Sequence, residues 1–256
     1  MLSANQLKEL AKKFNSSESV VLREYIQLIF LENLYAARGS DQIIFKGGTA
    51  VHLMYQGPRF SEDLDFTVLM ELEEFEVFID KVFKTISLSY EITFKERKTI
   101  TGKRYLLTAA PEILKGNTFI NLDFSFREKV TLIEKNPLIT EYPMTVTAPI
   151  YYMGKDEIIA EKIRAILTRE KGRDLYDFWF LLLNKGKINK DLVKEKLGYY
   201  GDKSLSIDNL LQKINDFSVK LYCDDLRPFV TYQKRELLER DFRDMKEFLT
   251  SGRLNL

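Results

Sequence analysis

Phe45-Lys46-Gly47-Gly48-Thr49-Ala50, followed by Arg59-Phe60-Ser61-Glu62-Asp63-Leu64-Asp65-Phe66, is the stretch that decides how this chain folds. The apolar run Ile43-Ile44-Phe45 predicts a strand, and it passes through two glycines and a hydroxyl residue into a helical stretch, residues 50–55. Such a turn offers backbone N–H groups at the positive end of a helix, which suits an anion such as phosphate. Glycine lets the backbone approach a bulky group where a Cβ would collide. Alone, Gly47-Gly48-Thr49 marks no more than a strand-to-helix turn.

Asp63 and Asp65 add chemistry to it. In an extended chain alternate side chains share a face, so the two carboxylates lie together while Leu64, Phe66 and Val68 point the other way. Two carboxylates side by side repel, and a divalent cation with hard oxygen ligands removes that cost. A third carboxylate fits the same pattern. In Phe119-Ile120-Asn121-Leu122-Asp123-Phe124-Ser125-Phe126 the even positions are apolar, leaving Asn121, Asp123 and Ser125 on the opposite face. If the two strands are neighbours, three acids meet on a polar floor. Such a floor can hold two metals and orient an attacking hydroxyl for in-line phosphoryl transfer.

Outward from this stretch, residues 3–14 and 17–38 predict helices, the second capped by Ser16 or Ser17 and stopped by Gly39. Residues 64–68 predict a strand, 73–86 a helix, 90–97 and 103–109 a hairpin around Thr101-Gly102, and 118–126 a further strand. Segments 129–134 and 144–152 read as extended. From a cap at Asp156 onward the pattern is helical. The class is therefore α+β: a mixed-sheet lobe flanked by helices in residues 1–152, then a helical lobe in residues 153–256.

Composition narrows the alternatives. With 45% apolar and 30% charged residues the chain is an ordinary globular one. No apolar run reaches the roughly 18 residues that span a bilayer, so no membrane association is expected. The start MLSANQLKELAKK lacks the pattern of a signal peptide. Cys223 is the single cysteine, which leaves no internal disulfide and makes the cytoplasm the expected location. A net charge of +1 announces no global nucleic-acid field.

A second cluster lies in the helical part. Ile159, Ile163, Ile166 and Leu167 make the buried stripe of a helix ended by Gly172, and Lys162 and Arg169 stand two turns apart on one side. Arg173-Asp174-Leu175-Tyr176-Asp177 begins the next helix, with Asp174 and Asp177 on one face. By spacing alone these are salt-bridged surface residues. His52, the single histidine, and Phe178, Trp179 and Phe180 read as packing residues. Lys95, Arg97, Lys98, Lys103 and Arg104 gather around the hairpin turn, either as a solvated turn or as a phosphate-tracking finger.

The order Gly47-Gly48-Thr49, Asp63-x-Asp65 and a lone strand carboxylate at Asp123 resembles the DNA polymerase β-type nucleotidyltransferases. Within them, Phe45–Ala50 with Arg59-x-Ser61-x-Asp63-x-Asp65 resembles the AbiEii/AbiGii toxin family of type IV toxin–antitoxin and abortive-infection systems. So does Lys162-x-x-Ala165-x-x-x-Arg169-x-x-x-Arg173-Asp174-x-x-Asp177. The resemblance implies a nucleotidyltransferase fold, Mg²⁺ (or Mn²⁺) on catalytic Asp63, Asp65 and Asp123, and a nucleoside triphosphate substrate. Gly47, Gly48, Thr49, Arg59, Ser61, Lys162, Arg173, Asp174 and Asp177 are then the nucleotide-binding residues. It further implies an RNA acceptor, the 3′ end of tRNA, and a separately encoded antitoxin. Two rivals share the motifs: a small-molecule nucleotidyltransferase of the aminoglycoside-modifying kind, and a silent nucleotide-binding relative. Residues 151–256 hold 21 Lys+Arg against 18 Asp+Glu, which weighs mildly against an acidic drug pocket.

Overall fold

The computed structural model describes residues 1–113, 116–199 and 206–251. The elements run α1 (Ala4–Lys13), α2 (Glu18–Ala36), β1 (Ile43–Lys46), α3 (Gly47–Tyr55), β2 (Leu64–Val68), α4 (Leu72–Ser89), β3 (Ile92–Arg97), β4 (Lys103–Ala109), β5 (Thr118–Ser125), β6 (Ile133–Asn136) and β7 (Ile150–Met153). The helical part continues with α5 (Lys155–Thr168), α6 (Gly172–Leu183), α7 (Lys190–Gly198), α8 (Leu210–Asp216), α9 (Val219–Leu226), α10 (Tyr232–Arg235) and α11 (Leu238–Thr250). The chain divides into two compact units. One comprises Met1–Gln56 with Phe60–Tyr152, the other Gly57–Arg59 with Met153–Leu256.

The first unit is built on a mixed sheet of order β3-β4-β5-β2-β1-β7-β6. Strand β1 runs antiparallel to β2 and parallel to β7, β2 runs parallel to β5, and β3, β4 and β5 form an antiparallel run. Strand β5 alternates buried Thr118, Ile120, Leu122 and Phe124 with less buried partners, as its sequence dictates. Its Phe124 ring stacks on Phe66 of β2 at 5.0 Å and meets Phe75 of α4 at 4.8 Å. Helix α4 buries Phe75, Phe78, Ile79, Val82, Phe83 and Ile86 along one stripe. Each such ring, fully buried, contributes about 1.5–3 kcal/mol.

Serine caps set the N-terminal helices. Ser3 and Gln6 form a reciprocal capping box on α1, and the Ser17 hydroxyl accepts the Val20 N–H to start α2. Helix α2 is buried on most of its circumference, from Val21 to Tyr35. It is a central element of its unit.

Several boundaries differ from the sequence expectation. Helix α3 begins at Gly47 instead of Ala50, so the glycines are its first turn. Of segment 129–134 only the end pairs, because β6 spans Ile133–Asn136, and of 144–152 only β7, Ile150–Met153, is strand. Leu132 and Ile133 are exposed and bury no face, and Pro143 and Pro149 offer no N–H to a ladder. Gly154, not Asp156, caps α5; the Asp156 carboxylate instead accepts the Lys187 N–H. Helix α5 already ends at Thr168, and Gly172 opens α6.

In the second unit α5 packs against α6, α7 and α8, and α9 against α6 and α11. Glu157 of α5 pairs with Lys196 of α7 at 2.5 Å, both side chains almost wholly buried. Among the described residues no helix is long and apolar enough to cross a membrane.

Candidate active site

Strand register puts two of the three acids side by side. In the parallel pair β2–β5, Asp65 lies opposite Asp123, and Phe66 opposite Phe124 on the other face. Neighbouring strands stand about 4.8 Å apart, so the two carboxylates share one polar surface. Asp63, just ahead of β2, reaches the same strand through Asn121, whose side-chain amide donates to the Asp63 carboxylate at 2.9 Å. Asn121 was legible only as a polar-face residue. Its bond to Asp63 could not be read from spacing.

The same register extends across five strands. Lys46 of β1 lies opposite Asp65, Asp123 opposite Arg104 of β4, and Arg104 opposite Arg97 of β3. The row therefore reads cation, acid, acid, cation, cation. Lys46 also bonds the buried Glu128 at 2.8 Å. Arg104 donates from Nε to Asp123 at 2.5 Å. That bond, helped by the charges of Asp123, Asp63 and Asp65, outweighs partial burial and strengthens the guanidinium's hold on its proton. All three acids act on this one cation. Glu128 and Arg104 had no individual signal in the sequence beyond the basic run at the hairpin.

The donor set is what a hard divalent cation takes: three carboxylates, with neither sulfur nor imidazole beside them. Among the described residues no group of three acidic or histidine side chains is drawn in tightly enough to hold an ion. Asp123 instead accepts from Arg104, and Asp63 from Asn121. Arg104 supplies a positive charge beside them, and in their chemistry the three carboxylates suit a hard divalent cation.

The glycine turn lies against this surface. Gly47 adopts φ +76°, and a Cβ there would fall 2.3 Å from an Asp65 carboxylate oxygen. Only glycine allows helix α3 to start so close to the acid. Gly48 and Ser61 are partly buried, and the Ser61 carbonyl accepts from Gln27 at 3.1 Å. Thr49 departs from the expectation of a phosphate-facing hydroxyl: it is fully buried and donates to the Asp63 carbonyl. Its hydroxyl fixes the backbone ahead of the acids. His52 bonds Glu24 at 2.8 Å and packs on Phe60.

The second cluster is gathered in the second unit, and it is buried where spacing alone suggested surface. Arg59 donates from Nε and a terminal nitrogen to the two Asp177 oxygens, each at 2.6 Å. Lys162 bonds Asp177 at 2.7 Å and Asp174 at 3.0 Å, and Arg169 forks onto Asp174 at 2.8 and 3.1 Å. Burial alone would push the Asp177 and Asp174 carboxyls up. The neighbouring cations, Arg59 and Lys162 for the first and Lys162 and Arg169 for the second, more than reverse this and hold both below their ordinary value. Burial would likewise lower Lys162, but the two aspartates raise it. Arg169 alone of these reaches solvent, its side chain 58% exposed. Arg173 instead pairs with Asp225 and lies 4.4 Å over the Phe229 ring. Neither partner was visible in the sequence.

The structure thus brings Asp63, Asp65 and Asp123 together with Gly47 in one unit, and Arg59, Lys162, Asp174 and Asp177 together in the other. The family model for the nucleotidyl transferase AbiEii toxin of type IV toxin–antitoxin systems matches residues 29–253. An uncharacterized protein of Aquifex aeolicus is 27% identical over 243 residues, covering 93% of this chain and 98% of its own. Among solved structures, the nucleotidyltransferase toxin MenT4 of Mycobacterium tuberculosis superposes with a TM-score of 0.67 at 18% identity, covering 98% of this chain and 90% of that one. JHP933 of Helicobacter pylori gives 0.57 at 21%, covering 92% and 94%.

Proposed function

The chain belongs to the AbiEii family of type IV toxin–antitoxin nucleotidyl transferases, and from that premise we propose a metal-dependent transfer of NMP to an RNA acceptor, centred on Asp63, Asp65 and Asp123. The observation that carries this reading is the β2–β5 register, which sets Asp65 beside Asp123 while Asn121 on the same strand holds Asp63.

Asp63, Asp65 and Asp123 would hold Mg²⁺, or Mn²⁺ in its place. When bound, the metal neutralises triphosphate charge and lowers the pKa of the acceptor hydroxyl. The Gly47 turn lets the triphosphate approach the start of α3, where backbone N–H groups meet its oxygens. Asp123 takes the proton of the acceptor hydroxyl, whose oxygen forms a bond to the α-phosphorus. The bond from that phosphorus to the β-phosphate oxygen breaks, and pyrophosphate leaves with its electron pair. Arg59, Lys162, Asp174 and Asp177 frame the nucleotide-binding part of the second unit, where Asp174 positions Arg169 and Asp225 positions Arg173, whose side chains are less buried.

The acceptor is the 3′ end of tRNA, the setting is the cytoplasm, and a separately encoded antitoxin opposes the activity. Incubation with total tRNA, Mg²⁺ and each labelled NTP in turn tests this. Label transfer is expected with at least one nucleotide, abolished by excess EDTA and restored by Mg²⁺ or Mn²⁺. Asp65→Ala and Asp123→Ala are each expected to lose at least about 100-fold, the scale seen when one electrostatic group aimed at a transition state is removed. A folded wild-type protein that labels no tRNA with any nucleotide would refute the acceptor, and transfer undiminished in EDTA would refute the metal.

A further inference from the structure

The hairpin of β3 and β4 brings a cation to the acids by a route that glycine secures. Gly102 in its turn has φ +78°, and a Cβ there would fall 2.2 Å from the Phe124 carbonyl oxygen. Without a side chain the turn lies directly on β5, and the antiparallel register then sets Arg104 opposite Asp123. On its other side Arg104 faces Arg97, a like charge, so its guanidinium leans toward the acids.

This ion pair is of a different kind from the buried network of the second unit. The Arg104 side chain is 46% exposed and that of Asp123 29%, against 4% and 1% for Arg59 and Asp177. Water competes for the Arg104 bond, and such a pair holds its partners by a factor of about five at most. It can therefore be exchanged for a stronger cation. Lys46 cannot fill the same role, since its amine is already committed to Glu128 and its side chain is 11% exposed.

We propose that Arg104 is a positioning residue and the resident counter-ion of the acidic cluster, and that a divalent cation must take Asp123 from it to occupy the site. The proposal rests on the metal-dependent reading above. While paired, Arg104 keeps three neighbouring carboxylates from repelling one another and holds Asp123 in place on β5. Once Asp123 turns to the metal, the guanidinium is released beside Arg97, its cross-strand neighbour. Arg104 thereby makes metal occupancy depend on an exchange of cations.

Mn²⁺ binding to the full-length protein without nucleotide, followed by the electron paramagnetic resonance of free Mn²⁺, tests this directly. R104Q removes the competitor and is expected to bind Mn²⁺ about threefold to fivefold more tightly than wild type. R104K keeps a competing charge and should stay within about twofold of wild type. In the D123N background the R104Q gain should vanish, because the contested carboxylate is gone. A merely structural Arg104 would give the opposite result, weaker binding in R104Q. Binding by R104Q that equals or falls below wild type, or a gain that persists with D123N, overturns the inference and leaves the carboxylate site standing. Absence of Mn²⁺ binding in wild type and R104Q alike overturns both this inference and the metal-dependent reading.

Discussion

Asp177→Ala is the substitution whose effect the structure fixes most tightly. The Asp177 carboxylate is 1% exposed and accepts from Arg59 twice and from Lys162 once. Its removal leaves two buried cations to share Asp174, which Arg169 already engages. Breaking a buried pair from one side costs about 3–5 kcal/mol, because the orphaned charge stays buried. Trp179, the single tryptophan, lies two residues along α6, so its fluorescence reports the unfolding of the second unit. With a urea slope of about 1.5 kcal/mol/M, the midpoint of that transition should fall by roughly 2–3 M. Replacing the group with apolar side chains, Arg59→Met, Lys162→Met and Asp177→Leu together, should recover most of the loss, since the desolvation penalty goes with the charges. A midpoint that moves by less than about 0.5 M in Asp177→Ala would refute the structural role. Asp177 would then have to contact a ligand directly.

Gly47→Ala should lower the rate of transfer far more than it lowers stability. The left-handed backbone costs about 1–2 kcal/mol for an L-residue, whereas the new methyl must displace the Asp65 carboxylate, a shift of the size that costs about 100-fold in rate. Single-turnover transfer and thermal melting separate the two effects. The pH dependence of the second unit follows from the same buried network. Asp174 and Asp177 are held below their ordinary value, so their contribution is full above about pH 4 and is lost as pH falls through the folded values. Lys162 is raised, so its contribution is full below about pH 10 and is lost above its folded value. Urea midpoints read from Trp179 should therefore agree at pH 5 and 7 and drop at pH 3, and Asp177→Asn should shrink that drop.

What the sequence made legible was local parity. Asp63 and Asp65 sharing a face, and Asn121 and Asp123 opposing Ile120, Leu122 and Phe124, follow from alternation along single strands. Which strand sits beside which is not a local property. The neighbourhood of β2 and β5 depends on a crossover through α4, β3 and β4, and the place of Arg104 depends on that pairing and on the Gly102 turn together. The second cluster shows the same limit. Spacing could bring Lys162, Arg169, Asp174 and Asp177 near one another, but their burial depends on Arg59, which lies more than a hundred residues earlier in the chain. Asp225 under Arg173 and Glu128 beside Lys46 are long-range partners of the same sort. The ends of strands failed where proline and exposed apolar residues interrupt an otherwise extended pattern, in residues 129–149.

The stacked Phe66 and Phe124 rings and the adjacent Asp65 and Asp123 carboxylates are two sides of one alignment. Sliding β5 by a single residue would turn Phe124 out to water and drive Asp123 among the aromatic rings, so the error would be rejected by the core before it could be tested at the surface. A slip that folds well but catalyses badly is therefore closed to this chain. With the activity carried by these acids, as proposed, inactive variants of the toxin should be more readily obtained by changing one of them on a sound scaffold than by loosening the scaffold around them.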